Sequence, residues 1–211
     1  METAPDPALL AQNARRLRID TLSRLRWLAL FGQLLTVLAT ALVLQFPLSL
    51  APCLGVIGVS ALLNIGIRFW VPKSLRLSDR QATALLAFDV LQLGALLYFC
   101  GGLENPFAIL FLAPVTIAAV SLPVRQIVLI AVLMGIAVSV LSVQHWPLPW
   151  YKGQTIDLPS LYRFGTWSAL LVACVFICVY AARVAAEART LSQALTAAEL
   201  VLVREHHLSQ L

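Results

Sequence analysis

DVLQLGALLYFCGGLENPFAILFLAP, running from Asp89 to Pro114, holds two apolar runs that meet across a short break of two glycines, a carboxylate, an amide and a proline. A helix crosses a hydrocarbon core of about 30 Å with roughly 20 apolar residues, at about 1.5 Å each, and each run is close to that length. The pattern repeats outward in both directions, giving six spans at approximately 26–46, 51–70, 82–100, 106–122, 126–143 and 163–182. Of the 211 residues 60% are hydrophobic and 12% charged, and the mean hydropathy is +0.87. A soluble domain carries about 25% charged residues, so that class is excluded. The sequence predicts an all-α polytopic membrane protein. A cytoplasmic basic lead-in covers 1–25, a bundle of six transmembrane helices covers 26–182, and a cytoplasmic coiled-coil-like signalling helix covers 183–211.

METAPDPALLAQNARRLRID, residues 1–20, has neither the apolar core nor the cleavage site of a targeting segment. The arginines at 15, 16, 18, 24 and 26 suit a basic amphipathic helix on anionic headgroups, or simply an anchor that sets topology. With the N-terminus inside, six crossings place 13 of the 15 basic residues on the cytoplasmic side and leave Lys152 and Arg163 outside. That asymmetry orients membrane helices, and it puts both termini in the cytoplasm. The formal charge of +5 is then a topology signal and points to no nucleic acid. Cys53, Cys100, Cys174 and Cys178 fall within spans or at their ends, which argues against a disulfide framework. Cys174 and Cys178 share a helical face, but no His or carboxylate stands beside them, so packing is the plain reading and no metal is expected.

The turns are also legible. Ser78 or Asp79 can cap the third span. Trp146, Trp150 and Tyr151, in the longest loop between spans, suit an aromatic belt at headgroup level, with His145 an ordinary loop histidine. No inverted repeat relates spans one to three with four to six, as transporters often show. Past the sixth span the chain contains no Pro or Gly, and Val184, Ala188, Leu191, Leu195, Ala198 and Leu202 step by 4, 3, 4, 3 and 4. That seam predicts a dimeric coiled coil joined without interruption to a membrane helix.

Four polar residues stand inside the spans. Counted from the cytoplasmic ends, Gln33, Asn64 and Asp89 share a depth of roughly 10 Å, and Gln92 lies one turn beyond Asp89 on the same face. An ionised carboxylate there costs about 2.5–3.5 kcal/mol, so it is compensated or protonated. A hydrogen-bonded layer across the first three helices is expected, serving as glue or in a proton-linked or signalling role. The alternative use of Asp89, Gln33 and Asn64 is a substrate path in a small transporter or channel.

The break itself has two readings. As a turn, Gly101 or Gly102 closes the third span in the left-handed conformation, Asn105 caps the fourth and Pro106 opens it. As a pocket, the glycines admit a flat ring to the backbone, Asn105 offers an amide donor and Phe107 a stacking face. A lipid-soluble quinone could seat its head there with its tail in lipid.

GGLENPF resembles the GGLxNPF heptapeptide of the redox-sensing histidine kinases of the RegB/PrrB/ActS type. LRIDTLSRLRWLALFGQ, DVLQLGALLYFCGGLENPFAILFLAPVTIAA and ALTAAELVLVREHHLSQL look like successive blocks of the same sensor region. The resemblance implies a six-helix domain that responds to quinone, with ubiquinone as the bound signal. It assigns quinone binding to Gly101, Gly102, Leu103, Asn105, Pro106 and Phe107, with Glu104 at the variable position of the motif. It also implies a homodimer and, through a kinase core, a cognate response regulator. The family's H-box, ATP-binding boxes and cytoplasmic redox cysteine have no match in these 211 residues. REHHLSQL, with His206 and His207, lacks the surroundings of an H-box, so the chain is expected to sense and not to phosphorylate by itself.

Overall fold

The computed structural model describes residues 19–70, 72, 77–151, 154–156 and 158–208. The lead-in ahead of Ile19 lies outside the described residues, as do the side chains of the heptad seam from Leu191 onward.

Helix α1 (Ile19–Leu38) starts ahead of the expected boundary at 26 and ends in a π-helical turn over Ala39–Val43. Ser23, Arg26, Leu30, Gln33 and Val37 step by 3, 4, 3 and 4 along it and form its inward stripe. That spacing keeps side chains on one helical face. Helix α2 (Leu50–Trp70) buries a matching stripe of Cys53, Ile57, Ser60 and Asn64. Helix α3 (Asp79–Phe99) is opened by a capping box, in which the Ser78 hydroxyl accepts from the Gln81 N–H while the Gln81 side chain accepts from the Ser78 N–H. Two of the orphan donors at a helix start are satisfied in this way.

The fourth apolar segment departs from expectation. Pro106–Phe111 is a 3-10 helix that passes into α4 (Leu112–Ser121), and the two together are shorter than a full crossing. Pro106 and Pro114 each lack an N–H to donate, which suits a tight first turn. Helix α5 (Val124–Val143) follows, then a two-stranded hairpin of β1 (Leu148–Pro149) and β2 (Thr155–Ile156). Helix α6 (Ser160–Leu208) runs unbroken for 49 residues, roughly 70 Å.

Among the described residues five helices are long and apolar enough to cross a membrane. The main core lies between α3, α4, α5 and α6, around Leu86, Val90, Phe111, Met134 and Val138. A smaller one joins α1, α2 and the end of α3 through Leu30, Val37, Cys53, Ile57, Leu96 and Cys100. Leu28, Phe31, Val128, Val132, Val172 and Phe176 point outward. Apolar surface on that scale is stable against lipid and not against water.

Candidate functional site

The heptapeptide closes α3 as its residue types dictate. Gly101 has φ 99° and Gly102 φ 56°, a region that glycine enters without steric cost. The Asn105 Oδ1 accepts from the Phe107 N–H at 2.9 Å, and its Nδ2 donates to the Cys100 carbonyl at 2.8 Å. Asn105 thus caps the next helix and ties it back to the previous one, with Pro106 at the first helical position.

The glycines do not offer an open face. A Cβ on Gly101 would lie 2.6 Å from a Leu148 methyl, and one on Gly102 would lie 2.5 Å from the His145 ring. Their missing side chains admit the 145–148 loop, which corrects the expectation that a ring approaches the backbone there. Leu103 and Glu104 are also buried. Glu104 accepts the Leu158 N–H at 3.3 Å and stands 3.7 Å from the Arg163 guanidinium, binding the heptapeptide to the start of α6.

Asn105, Pro106 and Phe107 face elsewhere. They line one end of an apolar cavity of about 620 Å³, with Phe46 and Trp150 beside them. Cys100 lines it too, its Sγ 3.4 Å from that of Cys53. Leu28, Phe107 and Leu110 on its walls are exposed, so it opens on the outer surface of the bundle.

The other end of the cavity holds Arg26, Gln33, Asp89 and Gln92. Along α3, Asp89 and Cys100 are roughly 16 Å apart. The Gln33 and Gln92 amides exchange hydrogen bonds at 2.9 and 3.4 Å. Arg26 Nε lies 3.0 Å from Asp89 Oδ1, and its Nη2 donates to Ser60 Oγ at 3.4 Å. The guanidinium also lies over the Phe88 ring, where the ring face attracts a cation. Asn64 bonds to none of the other three polar residues and instead donates to the Ser23 carbonyl at 3.1 Å. The expected single layer is therefore two joints, one between α1 and α3 and one between α1 and α2.

The position of Arg26 in the sequence places it in the headgroup region, whereas the structure buries it at 5% exposure. A carboxylate in a medium of low dielectric draws an opposite charge to it, and Arg26 is that charge. The sequence reading also missed Ser23, Ser60, the Glu104–Arg163 contact and the juxtaposition of Cys53 with Cys100. The 3 and 4 spacing that joins Ser23 and Arg26 to Leu30 and Gln33, and Ser60 to Asn64, is the signal that finds Ser23, Arg26 and Ser60.

Long apolar helices, an apolar outer surface and an internal cavity define a polytopic helical membrane domain. Residues 9–196 match the model of the PilS-like transmembrane domain, and the chain belongs to that family. It is similar to the sensor histidine kinase RegB of Cereibacter sphaeroides, 39% identical over 197 residues. RegB of strain ATCC 17023 of that species is 37% identical over 194 residues. Each alignment takes in 92% of this chain and 42% of the relative, so the chain spans less than half the length of these proteins. No solved structure matches it. These likenesses support the resemblance carried by GGLENPF, that of a transmembrane sensor domain of the RegB type.

Proposed function

We propose that the chain is the membrane sensor module of a two-component histidine kinase and answers to the redox state of the quinone pool. The observation that carries this reading is the shared cavity, which brings Asn105, Pro106 and Phe107 of the heptapeptide to an apolar space open on the outer surface of the bundle. Ubiquinone suits the residues there. Phe46, Phe107 and Trp150 offer ring faces, each aromatic pair adding about 0.5–1.5 kcal/mol beyond burial. Asn105 Nδ2 has a second N–H besides the one given to Cys100, and Trp150 brings an indole N–H, so both can donate to a carbonyl of the ring. The isoprenoid tail leaves past Leu110 into lipid.

An oxidised ring only accepts hydrogen bonds, whereas quinol hydroxyls also donate, so the two forms differ in affinity for any fixed donor set. A tenfold bias between two conformations needs about 1.4 kcal/mol. The Glu104 contact to α6 is the route by which such a bias leaves the heptapeptide. From there the heptad seam carries it as a homodimer, both termini cytoplasmic, to a kinase core and its response regulator. The lateral opening of the cavity, on an apolar surface, favours this reading over a solute path through Asp89.

The test is equilibrium binding of oxidised and reduced ubiquinone to the chain in nanodiscs. Phe107→Ala and Trp150→Ala should each weaken the oxidised form about tenfold, the loss of roughly one stacking contact. Equal binding by wild type and both variants, or none by any, would sink the proposal.

A further inference from the structure

Cys53 and Cys100 come from helices α2 and α3, 47 residues apart in sequence, yet their Sγ atoms stand 3.4 Å apart in a buried setting. Cys53 lies in the first turn of α2 and Cys100 caps the end of α3. Cys100 alone of the two lines the cavity, at the end where Asn105, Phe107 and Trp150 stand. We infer that Cys53 and Cys100 are a redox-active dithiol that a quinone in this cavity oxidises to a disulfide joining α2 to α3. The inference rests on the quinone reading of the cavity.

The chemistry balances within those groups. Both S–H bonds break and one Sγ–Sγ bond forms. Two electrons and two protons pass to the quinone, whose two carbonyl oxygens become the hydroxyls of quinol. Quinones are competent oxidants of dithiols, as the quinone-driven oxidation of thiols in the bacterial periplasm shows. Cys100 presents its sulfur to the ring, and Cys53, already in contact behind it, resolves the reaction without a search. Cys53 and Cys100 belong to the smaller core with Leu30 and Ile57.

The bond would act on the heptapeptide directly. The carbonyl of Cys100 accepts the Asn105 amide, and Gly101 follows it in the chain. Tethering Cys100 to the first turn of α2 therefore fixes the residue from which the Asn105 cap hangs. Cys174 and Cys178, four apart on α6, line no part of this cavity and serve as internal controls.

The experiment uses the chain in nanodiscs, fully reduced and anaerobic, exposed to a short-chain ubiquinone. Alkylation counting with peptide mapping reads the thiols, and ultraviolet absorbance reads quinol. Binding of the same quinone to Cys53→Ser, which cannot form the bond and whose side chain lines no part of the cavity, is measured in parallel. The expected result is loss of two of the four free thiols, mapped to Cys53 and Cys100, with one quinol formed per bond. Cys53→Ser should abolish both signals, and the Cys174→Ser/Cys178→Ser pair should change neither. Four alkylatable thiols after exposure, with Cys53→Ser still binding the quinone, would overturn the dithiol and leave the sensor reading standing. A sulfur–carbon adduct, or a bond between Cys174 and Cys178, would also overturn it. Intact thiols together with no binding by wild type or variant would bring down both readings.

Discussion

Placing a carboxylate near the middle of a bilayer helix costs about 2.5–3.5 kcal/mol, and Arg26 at 3.0 Å from Asp89 supplies the compensation. The pair is not fully satisfied, since Arg26 Nε meets Asp89 as an ion pair without hydrogen-bond geometry and Nη1 is buried without a partner. Removing one member of a buried pair is therefore far worse than removing both. Arg26→Leu should lower stability by about 3–5 kcal/mol, whereas Arg26→Met with Asp89→Leu should recover most of that loss. Thermal unfolding in a fixed detergent reads the difference, and equal losses in the single and double variants would show that the two charges are not coupled. The need for a partner to Asp89 could be read from the sequence, but the partner could not. Arg26 closes a series of arginines that begins at Arg15, and hydropathy starts the first span at 26, which puts this residue at the membrane edge. Because α1 begins at Ile19, the same residue stands two turns inside the helix.

Among the elements, the caps were the most legible and the exact extent of the helices the least. Ser78 with Gln81 and Asn105 with the Phe107 N–H are local hydrogen-bonding patterns that need only a few neighbours in sequence. The shortness of α4 and its 3-10 entry depend on how Phe111 and Val115 pack into the main core, which hydropathy does not encode. Glu104 belongs with these tertiary effects. Its carboxylate is buried, and what it meets, the Leu158 N–H and Arg163, lies more than 50 residues away. It joins the heptapeptide to the first turn of α6, where the Tyr162 and Arg163 N–H groups both donate to the Pro159 carbonyl. Glu104→Ala removes the acceptor and frees that turn to open. Amide exchange at Leu158, Tyr162 and Arg163 should accelerate about tenfold, the effect of losing roughly 1.4 kcal/mol from the closed state. Exchange in the middle of α5 should stay unchanged. Unaltered exchange at the start of α6 would remove Glu104 from the proposed route.

At the scale of the whole molecule the proposed sensing rests on the cavity. The apolar segments were legible because length and hydropathy are summed along the chain, whereas a void between α1, α3 and the heptapeptide is a property of side chains that fail to meet. Gln33 and Gln92 pair at one end and Asn105 and Phe107 stand at the other, so a ligand inside would contact the joint that holds α1 to α3 as well as the motif. A ligand that binds only the folded state stabilises it by about 2.7 kcal/mol at a hundred times its Kd. Saturating ubiquinone should accordingly raise the unfolding temperature of the wild-type chain in nanodiscs by several degrees. Ala113 lies on the cavity wall and is exposed, so Ala113→Phe can fill the space without displacing packed neighbours. That variant should unfold at or above the temperature of the unliganded wild type, because added apolar contact replaces a void, and it should show no further rise with ubiquinone. A shift equal to that of the wild type would place the ligand outside the cavity. A variant that unfolds lower and still responds would show that the space between α1 and α4 is not where the chain meets its signal.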